Sequence, residues 1–147
     1  MSKSHGFSLI ELLIVIAIVA FLSAISIPSF FKFLAKSKRS EAYVTLRSLY
    51  MAERAYWVEH GKYTNMLDGA HGLGWKPEGT LQYTYGFPNS CVVGALKTPA
   101  SALQNGSATD AGFTVSAAGD IDGDGAFDVL TIDQNGTITL VTDDLAG

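Results

Sequence analysis

An uninterrupted apolar run near the N-terminus constrains this chain more than any other feature. Residues 7–27 contain a single charged side chain, Glu11. About 20 apolar residues in a helix span the hydrocarbon core of a bilayer, so this run is long enough to cross one. It is too long for the apolar part of a secretory signal peptide, and no convincing small-residue cleavage site follows it. The run therefore predicts a retained membrane helix.

Glu11 does not suit a helix that faces only lipid. A charged side chain well inside a membrane helix costs roughly 2.5–3.5 kcal/mol or more, so an acid at this depth indicates a function. The alternative is a carboxyl group that lies near the interface and reaches the headgroups, or that is protonated. Both interpretations stay open on physical grounds alone.

The segment GFSLIEL, residues 6–12, resembles the prepilin processing motif of type IV pilins and type II secretion pseudopilins. Pro28 is similar to the proline that this family has near the end of its first apolar stretch. The resemblance implies that a membrane peptidase cuts between Gly6 and Phe7, removes residues 1–6 as a leader, and methylates the new N-terminus at Phe7. It also implies that Glu11 meets the N-terminal amine of a neighbouring subunit.

The chemistry of that pair explains the spacing. Glu11 lies four residues beyond the new amine of Phe7, on the same helix face and about one turn away. A carboxylate is favourable at a helix N-terminus. In an apolar filament core, an opposite charge offsets the cost of the buried carboxylate. Our hypothesis is that Glu11 sets the register of assembly.

The helical pattern resumes after Pro28. Its apolar stripe is marked by aromatic residues at seven-residue intervals, with smaller apolar residues beside them: Tyr43, Tyr50 and Trp57, then Ala42, Leu46, Leu49 and Tyr56. Gly61 is a stop signal. We expect a helix over residues 7–60 that Pro28 breaks or kinks. Residues 7–28 form its transmembrane and polymerisation half, and residues 29–60 its amphipathic half.

Four basic residues follow the apolar run: Lys32, Lys36, Lys38 and Arg39. Three interpretations stand, namely contact with anionic headgroups before assembly, pairing with acidic residues of neighbouring subunits, and a solvated face. The positive-inside rule places this cluster in the cytoplasm, whereas the resemblance places the N-terminus there. We follow the resemblance, because the processing motif is specific.

The second half of the chain has the pattern of a small β domain. Residues 61–80 predict a loop region, and residues 81–147 an antiparallel β head. The predicted strands cover residues 81–87, 91–96, 113–117, 127–132 and 137–141. Asn135-Gly136 predicts a tight turn between the last two, and residues 98–112 predict a mobile polar loop. The expected fold class is α+β, with a long N-terminal helix packed on a small antiparallel sheet, as in the pilin fold.

An acidic motif precedes the fourth predicted strand. Asp120, Asp122 and Asp124 fit the D-x-D-x-D-G start of a calcium loop, with Asp128 at the ninth position of such a loop. The twelfth position is Thr131, so the usual bidentate Glu is missing. The sequence therefore predicts either a calcium loop over residues 120–128 or an acidic turn without metal. No other cofactor is expected.

The sequence as a whole predicts a structural subunit of a type IV pilus. We expect a single-pass inner-membrane precursor that becomes part of an extracellular filament for motility, adhesion or DNA uptake. The expected partners are other copies of the chain, a prepilin peptidase and the pilus assembly machinery. The net charge of −4 argues against a nucleic-acid-binding site. We see no catalytic motif and expect no enzymatic activity.

Two alternatives accompany this prediction. The first is a pseudopilin of a type II secretion system with a calcium-binding loop, because pseudopilins share the N-terminal motif. The second is a membrane-tethered calcium-binding domain that never polymerises and leaves the Gly6–Phe7 bond intact. Cys91 is the single cysteine and cannot close an intrachain disulfide, so we expect it to pack as a small apolar residue.

Overall fold

The computed structural model describes residues 6–146, so residues 1–5 of the predicted leader lie outside the described part of the chain. Within this range, one long helix precedes six strands and a short 3₁₀ helix. The elements are α1 (Leu9–His60), β1 (Thr84–Phe87), β2 (Ser90–Val92), the 3₁₀ helix (Ala100–Ala102), β3 (Ser107–Ala108), β4 (Phe113–Gly119), β5 (Asp128–Asp133) and β6 (Ile138–Thr142). The predicted α+β fold class is confirmed.

The chain divides into two compact units, Met1–Leu34 and Ala35–Gly147. We call them the N-terminal unit and the head unit. Helix α1 contributes its first part to the N-terminal unit and its last part to the head unit.

Pro28 lies inside α1, and the helix continues through it. Of the two expected effects of this residue, the break is therefore absent, and the kink stays a prediction. Proline removes one backbone hydrogen bond, the one to the carbonyl of Ala24. Ending the helix there would forfeit more bonds and require a second, costly helix start. The hydroxyl of Ser29 donates to the carbonyl of Ile25 at 3.4 Å, one position further along.

The sheet of the head unit is antiparallel in every pairing, in the order β2-β1-β4-β5-β6, and β3 pairs separately with β4. The predicted turn before β6 is present. Gly136 has a φ of 76°, which suits glycine, and its N–H donates to the carbonyl of Asp133 at 2.9 Å. The carboxylate of Asp133 accepts the N–H groups of Asn135 and Thr137, which fixes the turn.

Two stretches differ from the predicted secondary structure. The strand predicted over 91–96 ends at Val92, because Gly94 passes so close to the backbone that an added Cβ would lie 2.1 Å from the carbonyl oxygen of Tyr83. The loop predicted over 98–112 contains the 3₁₀ helix and β3. Leu103 and Thr98 are buried there, so packing orders a segment whose composition predicts only a loop.

The core of the head unit lies between the last part of α1 and the sheet. The helix buries Ala42, Leu46 and Leu49. Their largest fully buried partners on and beside the sheet are Tyr83, Tyr85, Phe87, Val115, Leu130 and Ile132. Tyr43 and Trp57 remain substantially exposed, so the seven-residue aromatic line borders the buried stripe and does not form its centre.

Candidate functional site

The start of α1 is fixed by two side chains of the processing motif. The backbone N–H and the hydroxyl of Ser8 donate to Glu11 Oε2 at 2.9 and 2.8 Å, and the N–H of Glu11 donates to Ser8 Oγ at 3.3 Å. This is a reciprocal capping box, in which two side chains satisfy N–H groups that a helix N-terminus otherwise leaves unpaired. The S-x-x-E spacing of residues 8–11 is the sequence signal for such a box, and it lies within the processing motif.

The remaining motif residues lie around this cap. Gly6 and Phe7 precede the helix in non-helical backbone, and the Phe7 side chain is 84% exposed. The structure therefore brings Gly6, Phe7 and Glu11 together at the start of α1, while Pro28 lies well inside it. Cleavage at Gly6–Phe7 and the pairing of Glu11 with a neighbouring amine stay predictions.

The N-terminal unit exposes its apolar side chains along its length. The most apolar 18-residue window of α1 has a mean hydropathy of 2.8, and none of it is buried within the chain. By length and composition this part of α1 can cross a membrane. A continuous apolar surface of this kind is stable only in lipid or against other apolar surfaces.

The head unit contains an ion pair between partly exposed Arg39 and fully buried Asp128, which the sequence patterns do not predict. Arg39 donates to both carboxylate oxygens of Asp128, with Nε–Oδ2 and Nη2–Oδ1 distances of 2.9 and 2.6 Å, and it also pairs with Asp143. The hydroxyl of Tyr83 donates to Asp128 Oδ2 at 2.7 Å. Burial and this hydrogen bond raise the pKa of the Tyr83 hydroxyl. The pair therefore ties α1 to β5, to the residue that precedes β1 and to the C-terminal segment.

This geometry changes the interpretation of the basic cluster. Lys38 Nζ donates to the carbonyl of Ile121 at 2.8 Å, and Arg39 is committed to Asp128 and Asp143. Two of the four basic side chains therefore bind within the head unit, which is none of the three interpretations given above. The helical spacing indicates this position of Arg39. It lies four residues after buried Ala35 and three before buried Ala42, on the same face of the helix.

The acidic loop between β4 and β5 has a different fourth member from the one predicted. Asp120, Asp122, Asp124 and Asp144 each offer one oxygen, and these oxygens all lie within 4.8 Å of one another. Asp128 is not in this group. It is fully buried and its carboxylate is already bound by Arg39 and Tyr83, so the ninth-position assignment is corrected.

Asp144 enters the group from the segment after β6. Its Oδ2 accepts the N–H of Ile121 at 2.9 Å, and its Oδ1 is buried without a hydrogen-bond partner in the described part of the chain. Burial raises the pKa of Asp144, and the neighbouring Asp122, Asp124 and Asp120 raise it further. Sequence spacing does not predict that Asp144 joins this cluster. The loop and the C-terminal segment are far apart in sequence, and the pairing of the strands brings them together.

A third buried acid lies on the buried face of α1. Glu53 is fully buried, and its Oε2 accepts the N–H of Thr64 at 3.3 Å. Its Oε1 has no hydrogen-bond partner within residues 6–146. Burial raises the pKa of Glu53 from 4.5 to about 7, although the Thr64 hydrogen bond opposes the shift.

Comparison with known proteins finds matches to the N-terminal part of the chain. Residues 1–27 match the family model of the prokaryotic N-terminal methylation motif. The chain is 45% identical over 83 residues to the type IV major pilin protein PilA of Myxococcus xanthus, covering 56% of this chain and 36% of that protein. It is 37% identical over 73 residues to the prepilin peptidase-dependent protein D of Escherichia coli, covering 50% of each.

A third relative is the type IV major pilin protein PilE1 of Neisseria gonorrhoeae, 41% identical over 58 residues, which cover 40% of this chain and 35% of that protein. The chain thus spans about a third to a half of the length of these curated relatives. The N-terminal segment carries the methylation motif, and the rest of the chain forms an α+β head. Over its N-terminal half the chain resembles type IV major pilins, and the predicted resemblance is confirmed.

Proposed function

We propose that this chain is a structural subunit of a type IV pilus, cut between Gly6 and Phe7, N-methylated at Phe7, and polymerised through its N-terminal helix. The observation that carries the proposal is the exposed apolar surface of the N-terminal unit, interrupted over residues 7–31 by a single charge, Glu11. Such a surface requires lipid before assembly and other helices after it. The match to the methylation motif supports processing at the same end.

The relatives support the pilus over the two alternatives. Two of them are named as type IV major pilins, and a third as a prepilin peptidase-dependent protein. We propose accordingly that the precursor resides in the inner membrane, that a prepilin peptidase trims it, and that the pilus machinery adds it to copies of itself on the cell surface. Motility, adhesion and DNA uptake would then be properties of the whole filament.

Intact-mass spectrometry of the chain from pilus-forming cells tests processing. We expect the mature mass to lack residues 1–6 and to carry one added methyl group. Recovery of the chain with Gly6 still joined to Phe7 would exclude the pilin function and favour the tethered domain.

Charge substitution at Glu11 tests assembly. Gln fills the third helical position of a capping box as well as Glu does, so Glu11→Gln removes the charge and keeps the helix start. We expect Glu11→Gln to abolish surface filaments, seen by electron microscopy of sheared cells, while the exposed control Glu59→Gln assembles normally. Normal filaments with Glu11→Gln would refute the role of the charge.

The same micrographs separate the pilin from the pseudopilin. A pilus subunit gives long filaments on the cell surface. Short filaments confined to the periplasm would favour the secretion pseudopilin.

A further inference from the structure

We propose that the head unit binds one Ca²⁺ ion between the β4–β5 loop and the C-terminal segment, with Asp120, Asp122, Asp124 and Asp144 as its carboxylate ligands. The proposal does not depend on pilus assembly. It differs from the calcium loop that the sequence alone suggests, because Asp144 replaces Asp128 and comes from a different part of the chain.

Asp144 has a carboxylate oxygen that lacks a partner. The residue is 6% exposed, and only one of its two carboxylate oxygens has a hydrogen-bond partner among residues 6–146. A buried carboxylate oxygen without a partner costs free energy, because it has lost water and gained nothing in return. A cation held by the cluster supplies the missing partner.

The charge of the cluster is also unbalanced. In the described part of the chain, Arg39 pairs with Asp128 and Asp143, but no basic nitrogen lies within 4.0 Å of the four clustered carboxylates. Lys38 reaches this loop and donates to the carbonyl of Ile121, not to an acid. Four like charges with oxygens within 4.8 Å repel one another, and a divalent cation removes that cost.

The chemistry of the donors favours calcium. Calcium takes six to eight oxygen ligands in a flexible geometry, whereas Mg²⁺ demands a strict octahedron and keeps its waters. Four carboxylates provide four or more oxygens, and backbone carbonyls or water complete the set. Gly123 and Gly125 have φ values of 91° and 92°, which let the loop curl around its own carboxylates.

Hydrogen bonds within the loop also hold its acidic side chains in place. Asp120 accepts the N–H groups of Gly123 and Gly125 at 2.7 and 3.1 Å, and Asp124 accepts that of Ala126 at 2.7 Å. These bonds hold the acidic side chains over the loop. The consequence of the proposal is a cross-link, since one ion would join the β4–β5 loop to the segment that follows edge strand β6.

Calorimetric titration of the full-length chain in detergent, after removal of divalent ions with a chelator, tests the site. We expect one Ca²⁺ per chain. Thermal unfolding followed by circular dichroism should show a rise in Tm of roughly 5–10 °C at a Ca²⁺ concentration of about 100 times Kd. Mg²⁺ at the same concentration should give a much smaller rise.

Two variants and one control sharpen the test. Asp144→Asn removes a buried ligand charge but keeps an acceptor for the Ile121 N–H, and Asp122→Asn removes an exposed one. Both should weaken Ca²⁺ binding at least about tenfold, whereas Asp110→Asn, an exposed loop acid outside the cluster, should bind as the wild type does. Circular dichroism without Ca²⁺ verifies that each variant is folded.

Three outcomes would overturn the proposal. One is a folded wild-type chain with neither binding heat nor a Tm shift up to about 10 mM Ca²⁺, beyond the range of weak extracellular sites. Another is unchanged affinity in Asp144→Asn, which would leave the loop acids as the only ligands. The third is equal stabilisation by Mg²⁺, which would refute the choice of calcium.

Discussion

The N-terminal unit and the head unit use the same helix in opposite ways. Before Ala35, α1 exposes its apolar side chains, and its one acid is used to cap the helix start. From Ala35 onward, α1 buries its apolar stripe, Glu53 is buried with it, and partly exposed Arg39 binds the buried carboxylate of Asp128. Both parts are helical, so the difference lies in what each surface contacts.

This contrast shows where the stability of the chain comes from. The head unit buries its apolar stripe against its own sheet, so its stability is largely a property of one chain. The N-terminal unit leaves its apolar surface for lipid or other helices, so its stability belongs to a membrane or an assembly. Substitutions in the two units should therefore give different phenotypes, namely unfolding in one and loss of insertion or assembly in the other.

The largest expected effect follows from breaking the ion pair between Arg39 and buried Asp128. Asp128→Asn leaves the guanidinium of Arg39 without its bidentate partner and should lower the free energy of unfolding by about 3–5 kcal/mol. Urea denaturation of the full-length chain in detergent measures this change in the free energy of unfolding, with Asp110→Asn as the exposed control. A loss below about 1 kcal/mol would mean that the pair resembles a surface salt bridge.

A matched leucine pair tests the contrast directly. Leu49→Ala removes a fully buried side chain and should destabilise the head by about 3 kcal/mol, because it leaves a cavity in the core. Leu22 is 57% exposed in the N-terminal unit, and Leu22→Ala should leave head unfolding within about 0.5 kcal/mol of wild type. Equal losses in the two variants would contradict the division into units.

The pH dependence of the head should reveal Glu53. Its folded-state pKa of about 7 lies above the ordinary 4.5, so the native state holds a proton that the unfolded state releases. Stability is therefore full below about pH 4.5 and falls as pH rises to about 7, by about 3 kcal/mol. Glu53→Gln should flatten this part of the profile, as measured by urea denaturation from about pH 4 to 8. An unchanged slope would assign the effect to another group.

The smallest expected effect is at the helix start. Ser8→Ala removes the hydroxyl of the capping box and should fray the first turn of α1, while Ser26→Ala, in mid-helix, should not. Amide hydrogen exchange by NMR in micelles should be faster at Glu11 only in the first variant, and head unfolding should not change. Protection of the Glu11 amide in Ser8→Ala would show that the cap is dispensable.

The main elements were predictable from the sequence because their signals are local. The apolar run, the prepilin motif and the Asn-Gly turn each act within a few residues, and the structure has the helix and the hairpin where they indicate. The continuity of α1 through Pro28 was not predictable from that residue alone. The ordered 3₁₀ helix and β3 were not predicted either, because burial of Leu103 outweighs a loop-like composition.

The sequence by itself determined that this chain has an apolar helical segment with one acid at its start and a small β domain after it. Periodicity and hydrophobicity are enough to specify these features. Only the tertiary structure decided the role of each acid. Asp128 pairs with Arg39, and Asp144 joins the loop acids from the segment after β6. The physical reason is that charges act through space, and the distances between them are set by strand order, which the linear sequence does not display.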